Sequence, residues 1–158
     1  MYNHAPSEYI CPYCLFVQGK ENEQIPLKQT DIVFQTADLT AFIATRKRIN
    51  NPGHVLIIPN KHFENIFDLP SSLAEQFHAL TQNIALAMKA EYQCDGITIR
   101  QNNEPAGDQH IWHYHLHMIP RYKDDDFHNS KRVSFEASER ATYAQKLKKW
   151  FETSFSSS

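Results

Sequence analysis

Apolar and polar positions along this chain repeat with two different periods, and each period marks a type of element. Ile32-Val33-Phe34 and Leu39-Thr40-Ala41-Phe42-Ile43-Ala44 read as two short strands around a polar turn. Val55-Leu56-Ile57-Ile58 is a buried strand, entered through Asn51-Pro52-Gly53 and closed by Pro59-Asn60. Leu73, Phe77, Leu80, Ile84, Met88 and Tyr92 then recur at three- and four-residue steps, which predicts an amphipathic helix. Its start is expected near Ser72, where Ser72 and Glu75 have the spacing of a capping box after Pro70, and Asp95-Gly96 should stop it. Ile97-Thr98-Ile99-Arg100 returns to a strand, and a polar loop from Gln101 to His110 leads into an alternating run over 111–119 that Pro120 ends. A second helix is predicted over 138–155, with Ala144, Leu147, Trp150 or Phe151 and Phe155 on one side. Strands and helices do not alternate regularly, and several strands are neighbours in sequence. The expectation is therefore an α+β fold, with a mostly antiparallel sheet of about five strands and two main helices.

The run Ile111-Trp112-His113-Tyr114-His115-Leu116-His117-Met118-Ile119 concentrates the chemistry. Residues two apart on a strand share a face, so His113, His115 and His117 would stand in a row, roughly 6.5–7 Å apart at the Cα atoms. Trp112, Tyr114, Leu116 and Met118 would take the opposite face and look like core. One strand histidine is usually ordinary surface, and three could bind a metal. A neutral imidazole is also a good nucleophile towards phosphorus, splitting one difficult displacement into two easier ones. The middle histidine is the natural nucleophile, because its neighbours can orient its ring and bind phosphoryl oxygens. Asn102, Gln109 and backbone amides near Gly107 are candidate phosphate donors, although a turn residue and a solvated amide are the plainer readings of the two side chains.

Composition narrows the setting. The 158 residues fit one domain, with 41% hydrophobic and 22% charged residues. A formal net charge of −2 gives no global field to attract nucleic acid. No apolar run approaches the length that spans a bilayer, and residues 1–9 lack the pattern of a secretion signal. No internal repeat or Gly/Pro/Ser-rich linker is present, and Ser156–Ser158 reads as a frayed tail. Three cysteines make no disulfide framework, so a reduced, cytoplasmic setting is expected. Cys11-Pro12-Tyr13-Cys14 has the spacing of a zinc knuckle, but also of a redox motif, which would need a βαβ context that is not evident here. Cys94 reads as a small buried residue.

His113 through Ile119 resembles the motif of the histidine triad (HIT) family. Asn51-Pro52-Gly53-His54-Val55-Leu56-Ile57-Ile58-Pro59-Asn60-Lys61-His62 is similar to that family's upstream segment, and Asn102 through Pro120-Arg121 to its phosphate loop and motif exit. The resemblance covers about residues 9–122 of a single domain spanning 1–158, with 138–155 as a helical extension. It implies a HIT-like fold and a nucleotide hydrolase of the Hint/Fhit-like branch, zinc-containing and of bacterial type. Related transferases differ in the triad, carrying Gln at the position of His117 or Pro between the histidines. The implied substrates are nucleotide phosphoramidates or dinucleoside polyphosphates, cleaved through a covalent nucleotidyl-histidine intermediate with no cofactor in the chemistry.

By the same resemblance His115 would be the nucleophile, and His117 would contact the α-phosphate and bridge towards the leaving group. His113 would support the constellation, and His54 would hold the nucleophile's ring in the right tautomer. Asn102 and Gln109 would contact the phosphate. A structural zinc would be held by Cys11, Cys14, His62 and His113. A homodimer is implied too, burying the Leu73–Tyr92 stripe or an exposed sheet edge.

Three departures from the family pattern stand out. His110 replaces the usual Ser or Thr after the loop Gln, and Asp108 stands where Gly is usual. Thr45-Arg46-Lys47-Arg48 lacks the residue that usually binds ribose hydroxyls, and its basic run would meet extra phosphates or simply be a solvated loop. The rival readings are a non-catalytic nucleotide-binding scaffold and a metal-binding module.

Overall fold

The apolar run at 55–58 becomes the strand Val55–Pro59, buried at every position, and it takes the middle of a five-stranded sheet. In this computed structural model, which describes residues 2–20 and 25–155, the strands are β1 (Ile32–Gln35), β2 (Leu39–Ile43), β3 (Arg46–Arg48), β4 (Val55–Pro59), β5 (Gly96–Gln101), β6 (Leu116–Arg121) and β7 (Arg132–Ser134). The main sheet has the order β1-β2-β4-β6-β5 with every pairing antiparallel, and β3 pairs with β7 in a separate two-stranded ribbon. The helices are α1 (Pro12–Val17), α2 (Ser71–Tyr92) and α3 (Ala137–Phe155). The architecture is the expected α+β fold. The tail expected at Ser156–Ser158 and the side chain of Phe155 lie outside the described residues. No helix among the described residues is long and apolar enough to cross a membrane.

Both faces of the central strands are covered, which is why β4 reads as an unbroken apolar run and not as an alternation. Leu39, Ala41, Ile43, Val55, Ile57 and Met118 face α2 and α3. Phe42, Leu56 and Ile58 face the other way, against Tyr13 and Phe16 of α1. All six stripe residues of α2 are buried in the first cluster. The stripe is therefore spent on the chain's own sheet, which corrects its assignment to a dimer contact and leaves the sheet edges β1 and β5. On α3, Ala144, Leu147 and Phe151 are buried, while Trp150 packs only partly against them. Arg140 ties α3 down: its Nε donates to the buried Asp31 Oδ1 at 2.9 Å and its Nη2 to Pro26 O at 2.7 Å. An ion pair so fully hydrogen-bonded has its charges compensated.

Three boundaries differ from the sequence reading, each for a local reason. Pro70, not Ser72, is the N-cap of α2, and its carbonyl accepts from Leu73 and Ala74 N–H at 3.0 Å each with no side-chain cap. Ser72 therefore sits inside the first turn and forms no capping box. The helix ends through Gln93 in the left-handed conformation, and Gly96 is already the first residue of β5. The histidine run is the third case. The strand starts only at Leu116 and continues through Pro120 to Arg121. Its pairing with β4 runs from Val55↔Met118 to Ile57↔Leu116 and stops before Pro59, which has no N–H to donate. At the other end Pro120 lies beyond the last β4 partner, where a missing N–H costs no ladder bond on that side. Tyr114 and Met118 are core, Leu116 packs against it, and Trp112 stays half-exposed.

In the acidic loop Asp124-Asp125-Asp126 after β6, the middle carboxylate turns inward while its two neighbours stay exposed. Asp125 accepts from Arg121 at 2.7 and 2.9 Å, from Asn51 at 2.7 Å and from the backbone N–H groups of Tyr122 and Phe127. These donors, Arg121 first, hold its carboxyl well below the usual range. This loop returns the chain to β7.

Candidate active site and an adjoining cysteine-histidine cluster

Alternation along β4 and β6 sends His54, Leu56 and His117 to the face away from α2 and α3, where a cavity of about 540 Å³ opens. His115, Asn102, Tyr13, Asp108 and His110 line the same cavity. His115 Nδ1 lies 2.7 Å from the carbonyl oxygen of His113. A carbonyl only accepts, so Nδ1 carries the proton and Nε2 keeps its lone pair. His54 Nε2 lies 3.0 Å from His117 Nδ1, and the rings of His115 and His117 meet edge to face at 4.9 Å. The expected role of His54 is thereby corrected: it meets His117, and the backbone of His113 sets the tautomer of His115. His54 immediately precedes β4, and Leu56, two residues on and on the same face, lies opposite His117, which sets His54 beside His117.

All three rings are held neutral. Burial pushes His115 down to about 4 and His54 down to about 3, with Arg100 and Arg132 adding to the shift at His54. His117 also lies well below its ordinary value, through burial first and then the neighbouring His54. A neutral, buried imidazole with a committed Nδ1 is a nucleophile in waiting.

The loop residues divide. Asn102 lines the cavity and donates to Asp108 O at 2.9 Å. Gln109 does not line it: its amide nitrogen donates to Glu64 O at 2.6 Å and Ile111 O at 3.0 Å, and its oxygen accepts from Glu104 N–H at 2.8 Å. Phosphate contact by Gln109 is therefore corrected to a loop-bracing role. Asp108 and His110 are not independent departures. They pair with each other, Oδ1 to Nε2 at 2.9 Å, on exposed side chains at the cavity's edge.

Beside the cavity, Cys11, Cys14, His62 and His113 bring their donor atoms within 4.8 Å of one another. Cys11 Sγ lies 3.2 Å and Cys14 Sγ 3.6 Å from His113 Nδ1, and Cys14 Sγ lies 3.4 Å from His62 Nδ1. A tetrahedral zinc with its usual Zn–S and Zn–N bonds has ligand–ligand edges of roughly 3.5 Å. The fully buried His113 gives Nε2–H to Pro59 O at 2.9 Å, which leaves the Nδ1 lone pair facing the two sulfurs. That arrangement, a ring oriented by a backbone carbonyl with its other nitrogen towards the ligand set, suits a metal. Hydrogen bonding with Cys14 pulls the Cys11 thiol below its ordinary value, as a thiolate ligand needs. The knuckle opens α1 with Cys11 as N-cap, yet no strand precedes it, so the βαβ context of a redox motif is absent among the described residues. His113 thus belongs by its ring to this cluster and by its carbonyl to His115.

Several participants were not singled out from sequence. Tyr13 packs edge-on against both His113 and His115, with centroids 5.7 Å apart in each case; its position inside the knuckle was the available signal. Arg100 and Arg132 line the cavity from β5 and β7. Arg46, Lys47 and Arg48 form β3 and also line it, which corrects the reading of a solvated loop.

Residues 27–124 match the HIT domain. Protein hit of Bacillus subtilis (strain 168) is 34% identical over 119 residues, which is 74% of this chain and 75% of that protein. Bis(5'-adenosyl)-triphosphatase of Saccharomyces cerevisiae (strain YJM789) is 34% identical over 95 residues, 60% of this chain but 46% of its own length, so the chain spans under half of that relative. A solved Zn-bound histidine triad family protein from Mycobacterium smegmatis shares the fold at a TM-score of 0.76 and 23% identity, over 94% of this chain and 97% of the other.

Proposed function

The chain belongs to the HIT family, and from its site we propose a hydrolase of nucleotide phosphoramidates or dinucleoside polyphosphates that works through a nucleotidyl-histidine. The observation that carries this is the bond from His115 Nδ1–H to the His113 carbonyl, which leaves Nε2 free on a buried, neutral ring lining a cavity. His115 Nε2 attacks the α-phosphorus, a P–N bond forms, and the bond to the amine or phosphate leaving group breaks with its electron pair going to that group. A proton taken from water and relayed through the paired rings of His54 and His117, each neutral before and after, goes to the leaving group. Water then cleaves the P–N bond and restores the neutral imidazole. Asn102 and nearby backbone N–H groups contact the phosphoryl oxygens. The yeast relative that acts on a diadenosine triphosphate favours the same chemistry.

Cys11, Cys14, His62 and His113 would hold a zinc, whose contribution is structural: four protein donors leave no open position. These residues pin α1, and with it Tyr13, against the catalytic rings. We further propose a homodimer paired through a sheet edge and a cytoplasmic setting, in keeping with three free cysteines.

The test is hydrolysis of adenosine phosphoramidate and diadenosine triphosphate by the wild-type protein and by His115→Ala. Hydrolysis by the wild type and its loss in the variant, with a trapped nucleotidyl adduct only in the wild type, is the expected result. Equal rates in both would overturn the reading and leave a nucleotide-binding scaffold.

A further inference from the structure

The cavity beside the histidines is far more basic than the chain's net charge of −2 suggests. Arg46, Arg48, Arg100 and Arg132 all line it, and Asp108, hydrogen-bonded to His110, is the one carboxylate in its wall among the described residues. The backbone forces these arginines together. Arg132 lies directly opposite Arg48 in the β3–β7 ribbon, and Arg100 directly opposite His117 in the β5–β6 pair. Like charges directly opposite on paired strands are destabilising, so the Arg48–Arg132 pairing costs stability unless an anion answers it.

The other cationic anchors of the fold are answered from within. Arg121 is held by Asp125 and Arg140 by Asp31. Arg48 is partly answered, giving Nη1–H to Ser130 O at 2.6 Å and stacking on Phe127. Among the described residues Arg46, Arg100 and Arg132 make no ion pair, and the buried Nε of Arg100 has no hydrogen-bond partner. A buried guanidinium N–H without an acceptor is rare enough to need a cause, and a ligand oxygen supplies one. Guanidinium groups match phosphate geometry two bonds at a time. Strand β7, which brings in Arg132, also lies past residue 124, beyond the part of the chain that matches the HIT domain.

We propose that Arg48, Arg100 and Arg132, with Arg46 at the rim, form a second phosphate subsite next to the triad, which takes a phosphoryl group that the nucleotide carries in addition to the one at His115. The inference rests on the nucleotide-binding part of the proposed function but not on turnover. Because Arg100 and Arg132 sit beside His117, on the leaving-group side, the second group belongs on the phosphate chain. A phosphate on the ribose has the same chemistry and is the alternative source.

The full chain carrying His115→Ala, which lacks the proposed nucleophile, is titrated calorimetrically with AMP, ADP, ATP and adenosine 3',5'-bisphosphate. ADP and ATP are expected to bind at least about tenfold tighter than AMP, with a steeper dependence on salt. Adding Arg132→Gln or Arg100→Gln is expected to lower the ATP-to-AMP affinity ratio by about tenfold. Circular dichroism confirms the fold of each variant, and the exposed Arg132 provides the variant least able to disturb it. A gain for the 3',5'-bisphosphate in place of ATP would uphold the subsite and put the second phosphate on the ribose. Equal affinity for all four nucleotides overturns the subsite whatever the hydrolysis assay shows. Graded affinity with no hydrolysis by the wild type overturns the catalytic reading alone.

Discussion

Acidification from pH 7.5 to 5 should cost this protein about 2 kcal/mol through His54 alone. The folded protein keeps that ring neutral, half-buried against His117 and near Arg100 and Arg132, with its pKa pushed down to about 3. The unfolded chain returns it to about 6.5. Protons therefore bind the unfolded form first as pH falls. The stabilisation is complete above pH 6.5 and is lost progressively as the pH drops towards 3. At pH 5 the unfolded imidazole is about 97% protonated and the folded one almost unprotonated, a ratio of roughly thirtyfold, or about 2 kcal/mol. The unfolded side sets that ratio, so it changes little for any folded value below about 4.5. His117, also held well down, adds a loss of the same sign. Urea unfolding of the wild type and of His54→Gln at pH 7.5, 6.5, 5.5 and 5 isolates the His54 contribution, because protonation of the cysteine–histidine cluster affects both proteins alike. The variant should lose about 2 kcal/mol less than the wild type over this range. Parallel stability profiles, within about 0.5 kcal/mol, would refute the claim that the fold keeps His54 neutral.

Two further perturbations probe the supports of the site. At Gly53, where φ is +86°, an added Cβ would lie 2.7 Å from carbon atoms of both Tyr92 and Tyr143, so Gly53→Ala should cost at least about 2 kcal/mol and lower the rate by displacing the adjoining His54; an unchanged melting temperature would show that the two rings simply move aside. Purified protein should carry one zinc per chain, and a strong chelator should lower both its melting temperature and its activity, since the cluster positions α1 and Tyr13. Cys14→Ser should bind none. A metal-free native protein whose melting temperature ignores the chelator would leave Cys11 and Cys14 without that role.

Much of this protein was determined locally. The three- and four-residue stripe from Leu73 to Tyr92 dictates α2 because only a helix brings those six residues onto one side. The apolar block at 55–58 demands a strand with both faces covered, and β4 is that strand. The alternating histidines and the Cys11–Cys14 spacing likewise expose their chemistry to sequence reasoning, since both depend on residues a few positions apart. What needed the folded chain were the meetings between distant segments. Arg46-Lys47-Arg48 has no apolar residue to mark it as a strand, and only pairing with Arg132–Ser134 makes it one. Gln109 looked like a phosphate ligand until Glu64, Ile111 and Glu104 consumed its amide. His54 looked like the partner of His115 until the register placed it against His117. The ring of His113 is directed by Pro59 and met by Cys11, which lies 102 residues away in sequence. Periodicity along a chain specifies backbone conformation and which face a residue takes. Which side chain waits across that face is decided by how the strands pair, and that depends on the packing of the whole core.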